Sequence, residues 1–221
     1  MTCSHVRAGL AGRVFDGVIF DMDQTLVNSM PAINRSWTAW ATHYRVPAER
    51  FVNMHGLHAG DIIRLLLPEH LWDEATERIA RLETADVADV EPMPGAVAAL
   101  TSLPLDRVAV ATSAIEELMH ARLEAAGLPR PGVLIHRGMV ARGKPAPDIF
   151  LLAAERLGIA ADRALVVEDA PAGVEGAAAA GMASLGVLTT TPADDLPADA
   201  VVETLADVVW DTSDGVISVV V

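Results

Sequence analysis

Asp21-Met22-Asp23-Gln24-Thr25 sets two carboxylates two residues apart directly after an apolar run. In that spacing one carboxylate can attack phosphorus as a nucleophile while its second oxygen coordinates a metal. The other can serve the leaving group as general acid and base. Paired acidic residues near a turn are otherwise common helix caps, and the apolar run before Asp21 is what favours chemistry. Further groups of suitable type are Thr112 with Ser113, Lys144, and Glu168 with Asp169. Taken singly, each reads as a cap or a solvated charge. Together they supply carboxylates, hydroxyls and a cation for one site.

Such a site needs elements that bring distant residues together. Short apolar runs ending in polar residues recur at 14–21, 108–113, 133–136, 164–169 and 183–188, and each reads as a buried parallel strand. Between them lie helical stripes, such as Ile115, Leu118, Met119 and Leu123, or Phe150, Ala153, Ala154 and Leu157. Strand–helix alternation implies an α/β fold with a doubly wound parallel sheet. Ligands bind beyond the carboxyl ends of such strands, where Asp21, Asp23, Thr112, Ser113, Glu168 and Asp169 fall.

The first interval breaks the rhythm, because the strand ending at Asp21 and the one beginning at Val108 are separated by far more chain than a direct crossover needs. That interval holds a stripe at Ile33, Trp37, Trp40 and Tyr44, read as core packing rather than a substrate cage, and helical patterns at 61–67 and 69–83. The expected organisation is an α/β core over 13–30 and 92–221, a small all-helical insertion over 31–91, and an N-terminal tail over 1–12. Pro92 and Pro94 mark the return to the core.

The chain has 221 residues, 52% of them hydrophobic but only 4% aromatic, so the core is built mainly from Ala, Val, Leu and Ile. A net charge of −14 without a basic patch argues against a nucleic-acid partner. An acidic protein that handles phosphate needs local positive charge, and a bound divalent cation supplies it. Cys3 is the one cysteine, which excludes an intrachain disulfide. The apolar stretch between Arg7 and Arg13 is too short for a signal-peptide core, and the uncharged run 176–193 is broken by Gly181, Gly186 and Pro192. A cytoplasmic protein with no membrane partner, monomer or homodimer, is expected.

Val-Ile-Phe-Asp-Met-Asp-Gln-Thr-Leu-Val resembles the first motif of the haloacid-dehalogenase-like phosphohydrolases. The remaining motifs follow in that family's order: Thr112 in Val-Ala-Val-Ala-Thr-Ser, Lys144 in Gly-Lys-Pro-Ala-Pro-Asp, and Glu168-Asp169 in Val-Val-Glu-Asp-Ala-Pro-Ala-Gly. The resemblance spans residues 14–209 and implies a Rossmann-like core with a helical cap inserted after the first strand. It implies that Asp21 is the nucleophile and Asp23 the acid and base. Mg²⁺ is then held by Asp21, Asp169 and the backbone carbonyl of Asp23, with Glu168 behind them orienting water or ligand. Thr112, Ser113 and Lys144 are the implied phosphate ligands. The family most often has Gly at the position of Gln24 and commonly Asp at that of Asn28.

The stretch from Phe51 to Asp61 matches the position of the family's substrate-specificity loop, which brings in His55, Gly56 and His58 as candidate substrate contacts. Glu83 has two readings, a contact that reaches the substrate from the cap and a solvated helix face, of which the second is favoured. The likeness is to phosphatases of sugar phosphates, glycerol phosphate and deoxyglucose phosphate, which implies hydrolysis of a small phosphorylated metabolite. Two alternatives share the motifs: a β-phosphoglucomutase-like mutase, and a catalytically silent regulator that binds a phosphorylated ligand. A dehalogenase would have no need of Asp23.

Overall fold

A computed structural model describes residues 9–51 and 57–221. Cys3, His55 and Gly56 lie outside the described residues. In chain order the elements are β1 (Gly17–Phe20), β2 (Val27–Asn28), α1 (Met30–Tyr44), α2 (Ala59–Leu66), α3 (Trp72–Ala85), β3 (Glu91–Pro92), α4 (Ala96–Ser102), β4 (Val108–Ala111) and α5 (Glu116–Ala125). They continue with β5 (Val133–Ile135), α6 (Asp148–Leu157), β6 (Ala164–Glu168), α7 (Pro171–Ala179), β7 (Ala183–Val187), β8 (Ala200–Val202), β9 (Val209–Asp211) and β10 (Ser218–Val220).

Six strands form one sheet in the order β5-β4-β1-β6-β7-β8, every neighbouring pair parallel. β1, β4, β6 and β7 are buried along their whole length, as apolar strands covered on both faces must be. Alternation divides their side chains. Val18 and Phe20 join a core with Ala99, Leu100, Met119 and Leu123 from α4 and α5, while Ile19 packs with Ile149, Phe150 and Ala177 from α6 and α7. The sheet is therefore a Rossmann-like doubly wound α/β layer. From β1 the chain builds outward through β4 and β5, then returns to β6 on the other side, and that reversal opens a crevice at the carboxyl end of β1.

The strands are shorter than the apolar runs suggested, and the shortening falls at the polar residues. Asp21 and Thr112 have left the ladder by residue type but not by backbone: Asp21 N donates to Val167 O and Thr112 N to Ile135 O, both at 2.9 Å. Each side chain is thus pinned one step beyond its strand. Five strands escape sequence reading, among them β2 and β3 with two residues each. β8 has only three residues flanked by Asp199 and Glu203, and the antiparallel β9–β10 pair is largely exposed.

The long interval is helical, as expected. α1, α2 and α3 enclose a core of their own around Trp40, Ile63, Ala75 and Ile79. Trp40 is wholly buried and its indole N–H donates to Ala75 O at 2.9 Å, tying α1 to α3. α3 starts at Trp72 because the residues after Pro68 first make a single tight turn, Glu69–Leu71. At the base of the insertion β2 and β3 pair antiparallel, Val27 with Pro92 and Asn28 with Glu91, so the chain leaves and re-enters the core at one point. Among the described residues no helix is long and apolar enough to cross a membrane.

Candidate active site

The register Val110–Phe20–Val167 makes the ends of β4, β1 and β6 level, so the residues that follow them converge. Lys144, at the approach to α6, reaches this point from below. Its Nζ lies 2.5 Å from Asp21 Oδ1 and 2.6 Å from Glu168 Oε1. The lysine is 3% exposed and its ammonium stands 5.3 Å over the Phe150 ring. Burial alone would lower the ammonium, but the two carboxylates hold it above the ordinary lysine range.

The other oxygen of Glu168 accepts from the backbone N–H groups of Asp169 and Ala170, both at 2.9 Å. Glu168 is therefore a fixed pillar with every contact satisfied by protein. Gly173 is required beside it, since a Cβ there would occupy the space of the Glu168 carboxylate. Asp169 is held by Thr190 Oγ1, 2.5 Å from Oδ2, and by Thr25 Oγ1, 3.5 Å from Oδ1.

Carboxylate oxygens of Asp21, Glu168 and Asp169 lie within 4.8 Å of one another, all three residues buried. Burial pushes the Asp21 carboxyl up to about 7 against the pull of Lys144, with Glu168 and Asp23 adding to the rise. Asp169 is raised by burial and by repulsion from Glu168 and Asp21. Three buried carboxylates share one lysine, an electrostatic deficit that a divalent cation fits, and an all-oxygen donor set suits a hard ion. Asp21 and Asp169 can turn oxygens to such an ion, whereas Glu168 is already committed.

Asp23 follows on the loop from β1. Its Oδ1 accepts from Ser29 Oγ at 2.6 Å and from Arg122 Nη1 at 2.7 Å. Between the two aspartates' loop and α1 stands Gln24 with φ 65°, the left-handed region that glycine enters without a Cβ penalty. Its amide offsets that strain: with the carbonyl turned toward the helix, it accepts from Ser29 N at 2.9 Å and Met30 N at 2.7 Å, capping α1. Asn28 reaches Glu91 Oε1 at 3.4 Å across the β2–β3 pair.

Thr112 is buried, and its Oγ1 accepts from Ala114 N at 3.1 Å, a contact that orients the hydroxyl without using its proton. Ser113 lines the same cleft, and its carbonyl lies 3.0 Å from His58 Nδ1. The cleft runs between the sheet edge and the insertion, with Asp21, Asp23, Thr112 and Asp169 on one wall and Trp37, Ile62 and Ile79 on the other. Trp37 thus faces the cleft while Trp40 fills the helical core.

Asp21, Asp23, Thr112, Ser113, Lys144, Glu168 and Asp169 are brought together in one place. Glu83 is a correction. It is 7% exposed rather than solvated, faces the cleft, and bonds Arg122 Nη2 at 3.1 Å, because α3 turns it inward onto α5. Burial raises its carboxyl, and Arg122 opposes the rise. Arg122 and Thr190 were not read from the sequence. Arg122 did leave a trace, lying four residues after Leu118 on the apolar stripe of α5.

A sequence model described as haloacid dehalogenase-like hydrolase matches residues 15–181. Hexitol phosphatase A of Escherichia coli is 39% identical over 184 residues, covering 80% of this chain and 84% of that relative. Glycerol-1-phosphate phosphohydrolase 2 of Saccharomyces cerevisiae is 30% identical over 194 residues, covering 82% and 78%. A crystal structure of a hydrolase from Pseudomonas syringae superposes with a TM-score of 0.78 at 26% identity, over 86% of this chain and 94% of that one.

Proposed function

The chain belongs to the haloacid dehalogenase-like hydrolase family, and from that membership we propose a Mg²⁺-dependent phosphomonoesterase that acts on a small phosphorylated polyol or sugar through a phospho-aspartate on Asp21. The observation that carries the reading is the buried contact of Lys144 with both Asp21 and Glu168 beside Asp169. A lysine so fixed offsets the repulsion between an attacking carboxylate and a phosphate, and phosphoryl transfer depends chiefly on such positioning.

In the proposed first step an Asp21 carboxylate oxygen bonds to phosphorus as the ester P–O bond breaks, and Asp23 gives its proton to the departing oxygen. Thr112 donates its hydroxyl proton to a phosphoryl oxygen, and Lys144 holds Asp21 in line. In the second step Asp23 takes a proton from water as that water attacks phosphorus, which releases inorganic phosphate and restores Asp21. Mg²⁺, held by Asp21, Asp169 and the Asp23 backbone carbonyl, would supply the charge that lets carboxylate and phosphate approach. The helical insertion acts as a cap that keeps bulk water from the aspartyl phosphate.

The names of the relatives support the substrate class, since two of them carry hexitol phosphatase and glycerol-1-phosphate phosphohydrolase in their descriptions. The test is phosphate release from a panel of polyol and sugar phosphates with and without Mg²⁺, in the wild type and in Asp21→Asn. Metal-dependent release lost in Asp21→Asn is expected. Conversion of β-glucose-1-phosphate to glucose-6-phosphate with little free phosphate would replace hydrolysis by the mutase reaction.

A further inference from the structure

Arg122 joins two carboxylates of different origin. Its Nη1 donates to Asp23 Oδ1 on the loop after β1, and its Nη2 donates to Glu83 Oε1 on α3 of the insertion. Arg122 is 2% exposed, so this guanidinium and its partners are held in a desolvated place where geometry is well defined. The trio is incomplete in two respects. Arg122 Nε has no partner among the described residues, although buried polar groups are normally satisfied. The second carboxylate oxygen of Glu83 has no hydrogen-bond partner among the described residues either, and Glu83 lines the cleft.

From this arrangement we infer that Glu83 is a specificity-determining residue, whose open oxygen accepts a hydrogen bond from a substrate hydroxyl on the carbon next to the phosphorylated one. The inference rests on the phosphatase reading above, because it places the ester oxygen at Asp23. Glu83 is anchored to the adjacent nitrogen of the same planar guanidinium that holds Asp23. The shared guanidinium brings the Asp23 and Glu83 carboxylates side by side on the cleft wall, and on this inference the free Glu83 oxygen is set one carbon along from the ester oxygen. The substrate class is a 1,2-diol monophosphate, as found at the end of a polyol chain. A remote hydroxyl would not meet Glu83 while its ester oxygen stays at Asp23.

The physical cause of discrimination is the cost of a carboxylate oxygen that a bound substrate covers and leaves without a donor. A substrate lacking the neighbouring hydroxyl displaces cleft water from Glu83 and returns nothing. Because α3 supplies Glu83 and α5 supplies Arg122, this contact also requires the insertion to sit over the sheet edge. The correct hydroxyl thus favours the covered state of the site, in which the aspartyl phosphate is protected.

The experiment compares 2-hydroxypropyl phosphate, 3-hydroxypropyl phosphate and propyl phosphate, which differ only in the presence and place of one hydroxyl. Wild-type kcat/KM is expected to favour the 2-hydroxy ester over both others by about tenfold or more, the value of one charge-assisted hydrogen bond. Glu83→Ala is expected to bring the three esters to near parity, and Glu83→Gln, which keeps an acceptor oxygen, to lie between. Equal wild-type rates on the three esters would overturn the inference and leave the phosphatase reading intact. So would Glu83→Ala slowing all three alike, the mark of a purely structural residue. Should Glu83→Ala fail to fold, the wild-type ratio alone decides. No phosphate release from any ester by the wild type would remove the phosphatase reading and the inference with it.

Discussion

The charged side chains of the site are fixed by neighbouring side chains and backbone groups. Lys144 is spent on Asp21 and Glu168, Glu168 on the lysine and two backbone N–H groups, and Asp169 on Thr190 and Thr25. This leaves Asp21 and Asp23 as the carboxylates whose surroundings differ enough to separate their roles, one against a lysine and the other against an arginine and a serine. His58 provides a residue-scale test at the rim. Burial holds its imidazole below the ordinary value of 6.5 and outweighs the Ser113 carbonyl, which favours the protonated ring. The unfolded chain therefore takes up this proton before the folded one as pH falls, so the folded state is fully favoured above that value and loses stability below it. Between about pH 8 and about pH 5.5, thermal melting of the wild type should drop further than that of His58→Gln. Parallel curves would show that His58 carries no such penalty.

Among the elements, the strands that bear chemistry were legible because parallel burial writes them as unbroken apolar runs, and because each run stops at its functional residue. The same logic hid β8, which is buried but only three residues long, and β9 and β10, which are short, partly polar and largely exposed. It also hid Glu83 and Arg122: on a helix a charged residue reads as surface, and only the packing of α3 against α5 turns both inward. Gln24 was legible as a departure but not in its effect, since the left-handed backbone and the cap it gives α1 exist only in three dimensions. The helical insertion is the element most exposed to a packing test. Trp40 is fully buried among Trp37, Tyr44 and Phe51 and bonds Ala75 O. Trp40→Ala should cost about 3–5 kcal/mol of stability by denaturant unfolding, and a loss below about 1 kcal/mol would mean that α1 is not anchored there.

For the molecule as a whole, a net charge of −14 surrounds a site that already contains three buried carboxylates. Self-repulsion on this scale makes a site-bound cation a stabilising ligand of the folded chain. Mg²⁺ at about a hundredfold excess over its Kd should add about 2.7 kcal/mol to the folding free energy, read as a rise in melting temperature. NaCl at matched ionic strength should not reproduce the rise, and Asp169→Asn should abolish it. An equal rise in that variant would locate the ion elsewhere. In the proposed mechanism the helical insertion, the crevice at β1 and the charge balance all serve a single covalent bond at Asp21. The most direct measurement is an acid quench during turnover of a ³²P-labelled polyol phosphate, followed by peptide mapping. Label on the Asp21 peptide, released by hydroxylamine and absent from Asp21→Asn, is the expected result. Phosphate release that persists in Asp21→Asn without any labelled peptide would contradict the phospho-aspartate mechanism.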